Sequence, residues 1–196
     1  MKTATFRTIV GKNPILLSAP HVHSHKRPVL STAYKYGEPF TDTIVEAICE
    51  RLNGFGIVQT EESDYDYNYH KEKVNEYKQE VRKLAREGNI KYFLDIHGLK
   101  DGNMYDIAIY YPIKFYKSAA LAQFLKKEID KGILKGINIV IFRFPEDNQE
   151  TLGEFVASKL RTPSVQIEIA RYIRESEKLR NVLIENISKA LEKEVV

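Results

Sequence analysis

The sequence predicts an α/β protein, a three-layer α/β/α sandwich around a mixed, largely parallel sheet. Three observations carry that prediction. Short apolar runs such as residues 15–19 and 90–96 have the composition of strands covered on both faces. Between these runs lie stretches with apolar residues at helical spacing, so strands and helices alternate along the chain. The length of 196 residues, 43% of them hydrophobic and 29% charged, suits one domain, residues 1–196, with a substantial core.

Taken in order, residues 3–10 alternate as a strand does and 11–14 make a turn. Residues 15–19 form a short buried strand ended by Pro20, and the first two strands are expected to pair as a hairpin. Residues 20–40 have no period and carry three of the five histidines, which marks a functional loop. Residues 41–52 form a helix with Ile44, Val45, Ala47, Ile48 and Leu52 as its apolar stripe, and Thr43 with Glu46 has the spacing of a capping box. A strand over 57–60 leads into the acidic, tyrosine-rich loop 61–70. A helix follows over 71–87, with Val74, Tyr77, Val81 and Leu84 facing inward. After the 90–96 strand come strands at 105–111 and 137–144 around a helix at 115–134. A short helix at 148–160, a strand at 164–170 and a last helix at 172–193 complete the chain.

Composition narrows the function. A formal charge of +3 is too weak to argue for nucleic acid. The single cysteine, Cys49, excludes an internal disulfide, fits a reducing compartment and sits where a helix packs into the core. No apolar run approaches bilayer length and the first 14 residues lack a signal-peptide core, so a cytoplasmic protein is expected.

Ligands of such sheets bind beyond the carboxyl ends of the strands, and four places qualify. His21 follows the 15–19 strand, Asp66 and Asn68 follow the 57–60 strand, His97 ends the 90–96 strand, and Glu168 lies in the apolar run Val165–Ile169. Asp95 and His97, two apart on a strand, share a face, as a ligand and its orienting carboxylate would. Two histidines, an acid and an open position make the usual hydrolytic zinc site. His21 and His97 are the natural pair, and the acid is expected from the loop after His21. Glu38 is favoured because Asp42 has an alternative task at a helix N-terminus. A buried Glu168 needs a metal, a cation or a hydrogen bond, with Arg171 or Arg174 as the ordinary partner. His23 and His25, beside Lys26 and Arg27, read as a cationic rim. Arg27, Arg143 and Arg171 are candidates for holding a substrate carboxylate.

The stretches Leu17-Ser-Ala-Pro-His21, Gly37-Glu-Pro-Phe-Thr-Asp42, Asp66-Tyr-Asn68, Leu94-Asp-Ile-His-Gly98 and Val165-Gln-Ile-Glu-Ile169 resemble the N-formylglutamate amidohydrolase family, related in fold to the zinc carboxypeptidases. The resemblance implies a zinc-dependent amidohydrolase that cleaves an N-acyl, formyl-type amide of an acidic amino acid or a related small amide. It implies His21, His97 and an acid from 38–42 as ligands of one zinc ion and Glu168 as general base. Asp95 would orient His97, and Asn68, with Asp66 beside it, would lie on the substrate side. Two departures stand out: Val22-His-Ser-His25 follows the Pro-His pair where the family has a small residue, and Asn68-Tyr69 replaces an Asn-Arg pair. Two rivals follow from the same residues, a zinc peptidase or deacylase of larger substrates and a non-catalytic RNA- or partner-binding protein using the Lys26/Arg27 loop.

Overall fold

The computed structural model describes residues 5–27, 35–112, 115–145 and 150–195. The middle of the 20–40 loop and the start of the 148–160 helix lie outside the described residues. The described strands form one seven-stranded sheet. They are β1 (Phe6–Ile9), β2 (Ile15–Ala19), β3 (Phe55–Gln59), β4 (Tyr92–Gly98), β5 (Ile107–Tyr111), β6 (Ile139–Arg143) and β7 (Ser164–Ile169). Their order across the sheet is β1-β3-β2-β4-β7-β5-β6. The centre is parallel, with β2 between β3 and β4 and β7 beyond β4. β1 and β5 run antiparallel to β3 and β7.

Helices cover both faces, as the continuous apolar strands require. On one face α1 (Thr41–Leu52), α3 (Tyr116–Ile129) and α6 (Glu177–Val195) pack on Ile15, Leu17, Leu94, Ile96, Val165 and Ile167. On the other, α2 (Glu76–Glu87) and α4 (Leu152–Phe155) pack on Leu16, Ile57 and Phe93. This architecture is the three-layer α/β/α sandwich around a mixed, largely parallel sheet that the sequence predicts. Cys49 is buried in the first of these layers, and its thiol donates to the Phe55 carbonyl at 3.1 Å.

Four local expectations are corrected. β1 does not form a hairpin with β2. It crosses to the sheet edge and pairs with β3 from Phe6↔Gln59 to Ile9↔Gly56. The fully buried β2 takes parallel partners on both sides, whereas the half-exposed β1 suits an edge. The Thr43/Glu46 box does not form either. α1 starts at Phe40 in a left-handed conformation with φ 68°, Thr41 Oγ1 donates to the Glu38 carbonyl at 2.7 Å, and Glu46 pairs with Arg7 of β1.

The 71–87 helix breaks at Asn75. That side chain accepts from Lys78 N at 3.1 Å and donates to the carbonyls of Tyr67 and His70, so it caps α2 instead of continuing a helix. Val74 is left outside the inward face, 59% exposed. The last helix likewise divides at Ser176 into α5 (Arg171–Glu175) and α6.

Candidate metal centre

Strand pairing assembles the site. β2 feeds through Pro20 into His21, and β4 ends on His97 and Gly98 beside β7. The parallel register sets Ser18 against Asp95, Asp95 against Gln166, and His97 against Glu168. Neighbouring strands lie about 4.8 Å apart, so His97 and Glu168 are adjacent side chains on one face. That face belongs to the α2/α4 side, because Phe93 two residues before Asp95 packs there.

His21 and His97 meet edge to face with ring centroids 4.9 Å apart, and both are buried. Glu38 comes in from the loop before α1. Its Oε1 is 3.6 Å from His21 Nδ1 and its Oε2 is 3.3 Å from His97 Nδ1. The opposite edge of each ring meets a buried carboxylate: His21 Nε2 is 2.8 Å from Asp66 Oδ1, and His97 Nε2 is 2.9 Å from Asp95 Oδ2. With each Nε2 donating to its aspartate, the Nδ1 edge of each ring is the one turned toward the Glu38 oxygens. Nitrogens this close to a carboxylate need positive charge between, supplied either by a proton on each ring or by a shared cation.

Two ligand atoms about 2.1 Å from a zinc ion at a tetrahedral angle lie roughly 3.4 Å apart. The two observed separations match that value, and one nitrogen of each histidine with one Glu38 oxygen fall within 4.8 Å of one another. The donor set fits a divalent cation.

The electrostatics of these groups show the same demand for positive charge. Burial opposes charge on His21, but Asp66 and Glu38 outweigh it and raise its pKa. His97 is raised further, with burial again overcome by Asp95 and Glu38. Burial works against the Glu38 carboxylate too, yet His97 and His21 hold it well below the usual range. Glu168 moves the other way: burial raises it, His97 offsets part of that, and Glu38 adds repulsion.

The surroundings hold these groups in place. Asp66 is fully buried and accepts four bonds, from His21 Nε2, Arg27 Nε at 2.6 Å, Asn68 N at 2.9 Å and Tyr69 N at 3.1 Å. Ser18 donates to the other face of Asp95. Gln166 donates to Glu168 Oε1 at 2.7 Å and accepts from Asn68 Nδ2 at 3.3 Å. Gly98 N donates to Glu38 Oε2 at 2.9 Å. A Cβ at Gly98 would meet the Arg174 guanidinium at 2.8 Å and Glu38 Cβ at 2.9 Å, so only glycine fits there. Arg174 bonds the carbonyls of Ile169 and Pro39 and thereby clips the Glu38 loop to the end of β7.

A cleft of about 1090 Å³ opens over the centre, lined by His21, Glu38, His97 and Glu168 among others. Of the residues singled out from sequence, Arg27, Asn68, Arg171 and Arg174 also line it. Asp66 does not. It backs His21 instead of facing the cleft, because its oxygens are used up on four donors. Arg143, at the exposed end of β6, is not among the lining residues. Asp42 lies in the first turn of α1, outside the described groups that could hold a metal. Arg171 is tied to Glu175 at 2.6 Å. Neither Arg171 nor Arg174 pairs with Glu168, whose described hydrogen-bond partner is Gln166.

His25 is no cationic rim. It is fully buried, stacked on His21 at 3.8 Å, and burial together with His21 lowers its pKa to about 4. The sequence places Gln166 on the face of Glu168 without giving it a role there, and gives no sign of Arg174 as a clip or of Lys35.

No protein-family model matches the chain, and no curated protein matches it. Solved structures do. A gene product of Agrobacterium tumefaciens is similar over 96% of this chain and 94% of its own, with a TM-score of 0.69 and 14% identity. The N-acetylmuramoyl-L-alanine amidase AmiC2 of Nostoc punctiforme is similar over 94% of this chain and 98% of its own, with a TM-score of 0.55 and 20% identity. A metallo-carboxypeptidase of Burkholderia cenocepacia is similar over 96% of this chain and 61% of its own, with a TM-score of 0.61 and 12% identity. The chain shares their fold.

Proposed function

We propose that this protein is a zinc-dependent amidohydrolase that cleaves an N-acyl, formyl-type amide of an acidic amino acid or a related small amide. One observation carries the reading: two imidazole Nδ1 atoms and the Glu38 carboxylate converge at zinc-ligand spacing, with Glu168 on the adjoining strand. Solved structures of this fold include an amidase and a metallo-carboxypeptidase, which supports chemistry on C–N bonds.

His21, His97 and Glu38 would hold the ion. Asp66 and Asp95 would fix the tautomer and orientation of the two histidines. A zinc ion there supplies Lewis acidity and lowers the pKa of bound water from 15.7 to about 7. Glu168 takes a proton from the attacking water and returns it to the leaving nitrogen, while Gln166 keeps its carboxylate aimed. Asn68 presents its amide between Gln166 and the Leu152 backbone N–H, which it accepts at 2.6 Å, and so forms one wall of the substrate space.

The test is the Glu168→Gln protein assayed on N-formyl-, N-acetyl- and N-succinyl-glutamate. It should keep its zinc while turnover falls by roughly 10²- to 10⁴-fold. Unchanged turnover, or a purified protein that neither contains nor takes up zinc, sinks the reading. A cleft of about 1090 Å³ exceeds what a formyl amino acid fills, which favours a second reading as a zinc peptidase or deacylase of larger substrates. Acyl-peptides belong in the same assay.

A further inference from the structure

We propose that Lys35 and Arg27 form a seat for a carboxylate of the substrate, beside the His21/Glu38/His97 centre. Among the described residues five cationic side chains line the cleft, Arg27, Lys35, Lys100, Arg171 and Arg174, and they are not equivalent. Arg174 is spent on the carbonyls of Ile169 and Pro39. Arg171 is paired with Glu175, with its side chain 57% exposed. Lys100 is exposed at the rim, where water screens it.

Lys35 differs from these. It is partly buried, and its ammonium has no hydrogen bond or ion pair among the described residues. Arg27 commits only Nε to Asp66, which leaves the terminal nitrogens of its guanidinium with donors to give.

The seat is indexed to the metal centre by the backbone. Lys35 N donates to the His25 carbonyl at 2.8 Å and His25 N donates to the Lys35 carbonyl at 3.2 Å. His25 in turn stacks on His21 with ring centroids 3.8 Å apart. A ligand held at Lys35 is therefore positioned relative to the groups that would act on it. Burial, with repulsion from Arg27, lowers the Lys35 pKa against the smaller attraction of Asp66, Glu38 and Glu168.

An anion between them would be bound by charge-assisted hydrogen bonds, and a planar guanidinium edge suits a carboxylate. Glu38 and Glu168 line the same cleft, and their charge disfavours a group that concentrates two charges on one centre, such as phosphate, more than separate carboxylates such as those of succinate. The word "substrate" here rests on the amidohydrolase reading, but the anion seat does not.

The test uses full-length protein stripped of metal, with binding measured by calorimetry for succinate, its neutral analogue succinamide, and inorganic phosphate. Succinate should bind at least tenfold more tightly than succinamide, and more weakly as salt rises. Lys35→Met should weaken succinate binding about tenfold with unchanged thermal stability, and Lys35→Arg should restore most of it. Succinate binding unaffected by Lys35→Met, equal binding of succinate and succinamide, or tighter binding of phosphate each overturns the proposal. Zinc content of the untreated protein is measured separately, so a failed metal centre with an intact succinate site is distinguishable from the reverse.

Discussion

Replacing Asp66 with asparagine probes the histidine arrangement most directly. The carboxylate is fully buried and accepts four hydrogen bonds, two of them from His21 and Arg27. Asparagine has the same shape but one acceptor oxygen. If that oxygen keeps His21, Asn68 N and Tyr69 N, the amide NH₂ faces the Arg27 Nε–H, donor against donor. If the amide flips, Arg27 is served and His21 with both backbone donors is not. Either arrangement leaves at least one buried donor unsatisfied, a loss of about 1–3 kcal/mol with the charge-assisted bond to Arg27 at the upper end. The second consequence concerns His21: without a carboxylate on Nε2, its tautomer and ring orientation are no longer fixed, and zinc affinity should fall about 10- to 100-fold. Urea denaturation of the metal-free protein reads the first effect, and zinc titration against a competing chelator reads the second. An Asp66→Asn protein that binds zinc as tightly as the wild type would refute the assignment of His21 Nδ1 as the ligand atom.

Three further outcomes follow from the geometry. Gly98→Ala forces a methyl against the Arg174 guanidinium and Glu38 Cβ, so it should cost about 1–3 kcal/mol and weaken zinc binding, both measurable in the same two titrations. Burial pushes the Cys49 thiol up to about 12, so a thiol reagent at pH 8 should label the protein only as fast as it unfolds. Lys78 is fully buried, and burial lowers its pKa from 10.5 to about 8 although its ammonium donates to the Glu150 carbonyl. The folded state then binds fewer protons than the unfolded one between pH 8 and 10.5, so stability should rise by about 2 kcal/mol from pH 7.5 to 9.5. Lys78→Met should remove most of that rise in denaturation curves.

Much of the fold is legible in the chain because it rests on local patterns. The run at 15–19 is almost wholly apolar, the run at 164–169 alternates Val165, Ile167 and Ile169 with polar residues, and the stripe from Ile44 to Leu52 has helical period, so their elements follow from local pattern alone. Partner choice is not local. Whether β1 pairs with β2 or β3 depends on which strand is buried at the sheet centre, and the break at Asn75 depends on carbonyls of Tyr67 and His70 that the folded chain supplies.

The candidate site divides along the same line. Residue chemistry and position past a strand end suffice to single out His21, His97 and Glu168, because strand geometry dictates which side chains emerge there. Other features depend on distance. Glu38 and Asp42 are both acids of the same loop and helix start, and only the clip from Arg174 to Pro39, with the space left by Gly98, sets the Glu38 oxygens 3.6 and 3.3 Å from the two imidazoles. Asp66, expected on the substrate side, turns inward because four donors from three parts of the chain meet there. His25, expected in solvent, loses its charge because it is buried against another imidazole. Sequence by itself determined which residues reach the carboxyl ends of the strands. The tertiary structure alone decided which of them face one another, because hydrogen bonds and charge pairs act over a few ångströms between residues far apart in the chain.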